Sequence, residues 1–427
     1  MTVDTHNQDS AAMRFEVFKG ALKDGVAARV GRIAFAGRLP IDTPNFIGIT
    51  SRGTVPHVTP DNVGKHLQTT GAYMALEDFI ERPQRYSKRT PPIYESPKTP
   101  NNNTRLHSFT AMPQSVTTVL GARRIPAVSS PAGNTNASIS VFTSTGFQDL
   151  TLKEYLSAVK ALKPDIAIPL ADLTNSAIAP NSKRALRMAE RTDEWIVEWF
   201  ASLSESATIT ADASSRTTAT FAPILPVSYS MQWEYISRLA EDYLPTGQLS
   251  GLAVHDADLL PDLAEHCAAL LPLPRLSLSN PPTPHHILRQ IALGIDVFAL
   301  PFLNTISDAG LALSFTFPPP PTSPGETSPT PPQPLAIDLS AAPHATSLLP
   351  LTPTCPCYAC RTHHRAYIHH LLAAREMLGW TLLQVHNHAV MASFFAGVRA
   401  VLGQQGGEEK FAEAVRAFGA IVRDPPN

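Results

Sequence analysis

The sequence is short of cysteine, charge and long apolar runs, and each shortage closes off a class of protein. Four cysteines in 427 residues are too few for a disulfide-stapled secreted scaffold. Charged residues make up 16% of the chain, below the ~25% of a typical soluble protein. The 34 basic and 36 acidic residues nearly cancel, so no global field draws the chain to nucleic acid or to an anionic membrane. No apolar run approaches the ~20 residues that span a bilayer. Met1 to Met13 is polar, lacks the apolar core of a secretory signal, and is not Arg-rich as a mitochondrial import signal would be. The expectation is a soluble cytoplasmic protein with no transmembrane segment. Neither Gly-x-Gly-x-x-Gly nor Gly-Lys-Ser/Thr follows a strand-like run, which weakens nucleotide-binding open α/β sheets.

What is present is a series of short apolar runs alternating with helical periodicity. Residues 14–50 read as β structure, followed by Thr59-Pro60, a good N-cap with Pro at the first helical position. From Leu152 the order is helix 152–162, strand 164–170, helix 182–203, strand 221–227, helix 231–243 and strand 249–254. Helix 259–271, strand 275–279, helix 284–293 and strand 295–300 follow, with a further strand at 311–317. Strands this short and this apolar are buried on both faces, as in a parallel sheet. The run is long enough for a (β/α)8 barrel. Residues 80–108 form a polar loop with Arg82, Arg85, Lys88, Arg89, Lys98 and Arg105, which reads first as a solvated loop and second as an RNA-facing one. Nine prolines fall in residues 318–334, an extended insertion with no capacity for a core. The expected segments are an N-terminal tail 1–13, a barrel 14–317, a Pro-rich insertion 318–350, a metal-binding subdomain with closing helices 351–405, and a tail 406–427.

Cys355, Cys357 and Cys360 are three of the four cysteines, and their spacing lets three thiolates converge on one ion from a single tight loop. Zinc takes a fourth soft or borderline ligand. A helix over 361–378, a break at Gly379-Trp380 and a second helix from about His386 would return His386 to the loop. Spacing also leaves His363, His364, His369, His370 and His388 as rival donors. Cys267 stands alone in an apolar stretch and reads as a buried, inert thiol.

The pattern Cys355-x-Cys357-x2-Cys360-x25-His386-Asn387, with Arg365-Ala-Tyr-Ile-His-His-Leu-Leu372, resembles the zinc motif of tRNA-guanine transglycosylases. Asp42-Thr-Pro44, Arg52-Gly-Thr-Val55 through Thr59-Pro-Asp61, Gly251-Leu-Ala-Val254 and Gly294-Ile-Asp-Val-Phe298 resemble other segments of that family. The resemblance covers roughly residues 14–405. It implies a (β/α)8 TIM barrel carrying a zinc-binding helical subdomain, with one structural Zn2+ on Cys355, Cys357, Cys360 and His386.

In that family one aspartate attacks C1′ of the anticodon wobble guanosine and expels guanine, and the covalent ribosyl-enzyme then accepts a modified base. A second aspartate, opening Asp-Ser-Gly-Gly-Phe-Gln, serves as general acid/base. Here Ala299 holds the nucleophile's place and no Asp-Ser-Gly-Gly-Phe-Gln occurs; Ser144-Thr-Gly-Phe-Gln148 is a partial echo. Ala171 stands where a base-reading aspartate is expected, and Asn304-Thr-Ile-Ser-Asp308 replaces Thr-Arg-Ser-Gly-Arg. The combination resembles a non-catalytic branch of the family. It implies a heterodimer with a catalytic queuine tRNA-ribosyltransferase subunit, tRNA as the nucleic acid, no DNA, and peripheral association with the mitochondrial outer membrane. Two alternatives stand beside it. The chain is itself active through a displaced aspartate (Asp296, Asp256 or Asp172), or it is a stand-alone zinc-dependent tRNA-binding module.

Overall fold

The computed structural model describes residues 13–20, 28–80, 90–97, 104–131, 133–174, 179–209, 218–320 and 333–423. Residues 1–12, five of the six basic residues named in the 80–108 loop, and the centre of the proline run lie outside them.

Eight parallel strands close into a barrel. They are β1 (Asn45–Ile49), β2 (Gly71–Ala75), β3 (Thr117–Gly121), β4 (Ile166–Ala167), β5 (Ala219–Ile224), β6 (Leu249–Val254), β7 (Arg275–Ser277) and β8 (Val297–Ala299). The ring closes between Val297 and Asn45. Both faces are apolar because both are covered. Ile47, Ile49, Tyr73, Val119, Ile166 and Leu276 fill the interior. Their neighbours Phe46, Met74, Leu120, Leu252 and Phe298 point outward into the helix layer. The period of two along each strand sorts the residues.

Helices follow the strands around the outside: α1 (Pro60–His66), α2 (Arg105–Thr110), α3 (Leu152–Leu162), α4 (Ser182–Ile209), α5 (Tyr229–Arg238), α6 (Leu260–His266), α7 (Pro284–Ala292) and α8 (Phe302–Asp308). Helix α3 shows why. Thr151 and Glu154 form a reciprocal capping box at its start, and Tyr155, Leu156, Val159 and Leu162 share one buried face. The Tyr155 hydroxyl donates to the Ile168 carbonyl at 2.7 Å, fastening the helix to the end of β4.

Beneath the barrel, three antiparallel strands (Arg14–Lys19, Val30–Ala34 and Ile41–Thr43) form a cap. Ile33, Phe35 and Ile41 plug the lower opening. Two arginines around this cap reach aspartates that stand just before barrel strands. Arg29 grips Asp296 through Nε and Nη2 (2.8 and 2.6 Å), and Arg38 grips Asp165 (3.1 and 3.0 Å). Asp296 also accepts the Arg275 amide at 2.8 Å. The Arg275 guanidinium is lowered to about 10 by burial and by the charge of Arg29.

Several expected elements differ. Strands β2 and β3 and the hairpin Ser138–Thr143/Gly146–Thr151 do not stand out in the sequence. The strand expected at 311–317 is only Leu311–Leu313, lies outside the barrel, and pairs with Ala336–Asp338. Residues 304–308 are helical, within α8. The helix break falls at Arg375, which adopts φ 57, not at Gly379. Helix α9 (Tyr358–Thr362), α10 (Arg365–Ala373) and α11 (Met377–Leu402) are separate, and α11 runs unbroken through His386. Gly379 is small for another reason: a Cβ there would sit 3.1–3.2 Å from Leu372 and Leu371. The stretch 406–427 holds a packed helix, α12 (Gly407–Ile421), with Phe411 and Phe418 buried.

The two kinds of ion pair in the cap differ in consequence. Arg32 and Asp42 are both nearly half exposed, and such a pair contributes ~0–1 kcal/mol. Arg29 and Asp296 are 4% and 0% exposed, and removing one partner strands a buried charge, at a cost of ~3–5 kcal/mol. Asp296→Ala is expected to lower the unfolding free energy by that amount in a denaturant titration, with Asp42→Ala nearly neutral.

Candidate metal centre and barrel mouth

The metal-ligating candidates converge. Ligand atoms of Cys355, Cys357, Cys360 and His386 all lie within 4.8 Å of one another. The loop before α9 brings the thiols together: Cys357 caps α9 and its sulfur accepts the Cys360 amide at 3.4 Å. His386 arrives from the third turn of α11, fully buried. Its Nδ1 faces the sulfurs of Cys360 (3.3 Å) and Cys357 (3.7 Å). Its Nε2 donates to the Leu313 carbonyl at 2.8 Å. That bond keeps the proton on Nε2 and leaves the Nδ1 lone pair for an ion, the arrangement expected of a metal-binding histidine.

Three of these groups, Cys355, Cys357 and His386, are strongly shifted by their closeness to the rest of the cluster. Hydrogen bonds with Cys357 and Cys360 push the Cys355 thiol far down, while those with Cys355 and Cys360 push Cys357 far up. Burial opposes charge on His386, but the Cys355 and Cys360 contacts outweigh it and carry the ring up to about 9. Three sulfurs and one imidazole within reach of one ion suit a soft or borderline divalent ion. These four residues could hold one.

Four of the five rival histidines are engaged elsewhere, and the fifth, His370, is exposed and outside the cluster. His364 caps α10, its Nδ1 accepting the Tyr367 amide at 3.1 Å. His369 lies 2.7 Å from the Leu339 carbonyl, and His363 stacks on Tyr367. His388 packs against Phe46 of β1, and burial lowers its ring to about 4. Cys267 is only partly buried, and burial raises its thiol.

Asn387 completes the attachment. Its Oδ1 accepts the Leu313 amide at 2.9 Å, and its Nδ2 donates to Ser307 Oγ and the Leu311 carbonyl, both at 3.0 Å. Phe395, two turns on, packs against Phe46 and Phe298, so α11 covers the seam where β8 meets β1.

At the opposite pole from the cap, a cavity of about 280 Å3 opens among the C-terminal ends of β2, β3, β4, β6 and β7. This is the end of a barrel where chemistry is usually built. Tyr73, Arg123, Ile168, Ala171, His255 and Asn280 are among its lining residues, and no carboxylate is among the described residues that line it. Tyr73 crosses the interior and donates to the Arg123 carbonyl at 2.5 Å. Gly121 permits this, since a Cβ there would meet the Tyr73 hydroxyl at 2.0 Å. Sequence reasoning singled out Ala171 but missed Arg123, His255 and Asn280; their place just past strand ends was the available signal.

The aspartates named as displaced candidates are occupied. Asp296 is on the cap side, beneath the barrel. Asp172 is fully buried between Arg184 (2.6 Å) and Arg191 (2.9 Å), with Asn134 donating to it at 2.7 Å. Asp256 accepts the Asp258 amide as the cap of the turn Ala257–Leu259. Ala299 is buried in the barrel interior. Ser144–Gln148 belongs to the hairpin, where Gln148 bonds the Thr143 and Thr145 hydroxyls.

Asn387→Leu removes one acceptor and two donated bonds from a buried junction. It is expected to cost ~2–3 kcal/mol, since a buried amide left unpaired costs 1–3, and to speed hydrogen exchange at the Leu313 amide specifically.

Comparison with known proteins agrees with this geometry. Residues 24–420 match the family model described as queuine tRNA-ribosyltransferase. The chain is 34% identical over 405 residues to queuine tRNA-ribosyltransferase accessory subunit 2 of Schizosaccharomyces pombe, covering 94% of this chain and 83% of that one. Proteins of the same description from Drosophila grimshawi (30% over 309 residues, 70% of each chain) and Ixodes scapularis (26% over 422 residues, 94% and 98%) are also similar. On the barrel, the cysteine–histidine cluster and a match spanning nearly its whole length, the chain belongs to the queuine tRNA-ribosyltransferase family.

Proposed function

We propose that the chain is the non-catalytic, zinc-binding subunit of a heterodimeric queuine tRNA-ribosyltransferase, supporting replacement of wobble guanine by queuine in tRNA. The observation that carries this reading is the barrel mouth. Base exchange in the family needs one carboxylate to attack C1′ and another to move protons. The mouth offers Arg123, His255 and Asn280, with Ala171 on its wall and Ala299 at the end of β8. A methyl group cannot attack a sugar carbon. The chemistry is then the partner's, and this chain contributes by positioning.

The metal in this reading is one structural Zn2+ on Cys355, Cys357, Cys360 and His386. Four protein ligands leave no open position for water. Bound there, the ion would lock the α9 loop to α11 and, through Leu313 and Asn387, to the barrel.

The segments around the cluster also carry exposed apolar side chains. Leu348 and Met377 are 74% and 71% exposed, joined by Leu349, Tyr358 and Leu378. Exposed apolar groups gathered in one region favour a protein partner. The relatives' shared description as accessory subunits supports the catalytic subunit as that partner. The proposal locates the pair in the cytoplasm, with peripheral contact to the mitochondrial outer membrane. No helix among the described residues is long and apolar enough to cross a membrane.

Two outcomes check the proposal. Incubated alone with tRNA and labelled guanine, the purified chain is expected to give no exchange, with activity appearing only when a catalytic subunit is added; exchange by the chain alone would sink the accessory reading. Elemental analysis should give one zinc per chain. Cys357→Ala is expected to lose the zinc and, with it, stoichiometric co-purification with the partner. Loss of zinc with pairing intact would remove the interface role from the metal.

A further inference from the structure

The mouth cavity is lined by a guanidinium, Arg123, that makes no salt bridge to a described carboxylate. Glu77 and Asp78 are both engaged by Arg124, and Asp172 by Arg184 and Arg191. With Arg123 this makes four guanidinium groups against three carboxylates, and the unmatched one is Arg123. Its Nε donates to the Ser140 carbonyl (2.9 Å) and its Nη2 to Asn134 Oδ1 (2.7 Å). Its Nη1 donates to no described residue. Burial lowers its pKa, and the charges of Glu77 and Asp172 offset only part of that cost.

Two further polar groups share the cavity. The His255 ring makes no hydrogen bond to a described residue. Burial and the nearby Arg123 lower it to about 4, so it is neutral at physiological pH and offers one N–H and one lone pair. Asn280, held at φ 53, leaves its side-chain amide unpaired among the described residues. The remaining wall is apolar, with Ile125, Pro126, Ile139, Ile168 and Leu278. An apolar wall with a few convergent polar groups is the general form of a small-molecule site, and the volume of about 280 Å3 suits a compact occupant.

We propose that the barrel mouth binds a compact organic anion. Its flat or apolar body lies against Ile139, Ile168 and Leu278, its carboxylate or phosphate meets Arg123, and its polar edge meets His255 and Asn280. A guanine-like base fits this lining poorly. Its amino and lactam N–H groups need acceptors, whereas the surplus charge is positive and Ala171 presents only a methyl group. The inference goes beyond the partner role and does not depend on it.

The test is ligand-observed NMR on the full-length chain, with benzoate, phenyl phosphate, benzamide and guanine as probes. Benzoate and phenyl phosphate share the body and differ in the anion; benzamide keeps the shape and lacks the charge. At least one anion is expected to bind roughly tenfold tighter than benzamide, as a charge-assisted hydrogen bond should allow, and to lose about as much in Arg123→Gln. Leu278→Trp, which fills the cavity and leaves Arg123 in place, is expected to abolish binding. Thermal melting establishes that each variant is folded. If Arg123→Gln does not fold, Leu278→Trp decides: anion binding that survives it overturns the proposal. So would absence of anion binding, benzamide or guanine binding as tightly as the anions, or unchanged binding in a folded Arg123→Gln. None of these results bears on pairing with the catalytic subunit, which is measured without the anions.

Discussion

One turn of α11 holds the two halves of this protein together. His386 turns one ring nitrogen toward three sulfurs and the other toward the Leu313 carbonyl. Asn387 takes the Leu313 amide and reaches Ser307 of α8, and His388 lies against Phe46 of β1. An ion at the cluster would therefore fix more than a loop. It would set the position of the helix that covers the β8–β1 seam, where the barrel closes.

The barrel divides its charges by end. Below, aspartates that precede β4 and β8 are buried and answered by Arg38 and Arg29, which clamp the cap over the opening. Above, the acids are withdrawn from the opening: Glu77, Asp78 and Asp172 are tied to arginines, and Arg123 lines the cavity with no salt bridge to a described carboxylate. A carboxylate engaged by two guanidinium groups is a poor nucleophile because its lone pairs are committed. The distinction between the ends is what the proposal of a non-catalytic subunit rests on.

Much of this was legible in the sequence, for particular reasons. The cysteine triplet is contiguous, so its convergence needs no knowledge of the fold. Strands β5 to β8 are isolated apolar runs between helices with clear periodicity; the βα order implies a parallel sheet, and the family resemblance implies that it closes into a barrel. His386 was not separable from its neighbours by spacing; the family resemblance singled it out, and the structure shows why, since four rivals are engaged in caps, stacks and carbonyl contacts and His370 is exposed, outside the cluster. Strands β2 and β3 escaped because their units are interrupted by a polar loop and by the hairpin at 138–151. The break at Arg375 escaped because a non-glycine residue in the left-handed region carries no sequence mark. Arg123, His255 and Asn280 escaped because their proximity exists only once strands β3, β6 and β7 are laid around one axis.

The central claim is that this chain frames the reaction while another performs it, and the covalent intermediate is where the two can be told apart. The complex with its catalytic partner would be mixed with labelled tRNA, quenched by denaturation, and separated on a denaturing gel. The account predicts label on the catalytic subunit and none on this chain. A tRNA adduct on this chain, lost in Asp172→Asn or Asp256→Asn, would contradict it.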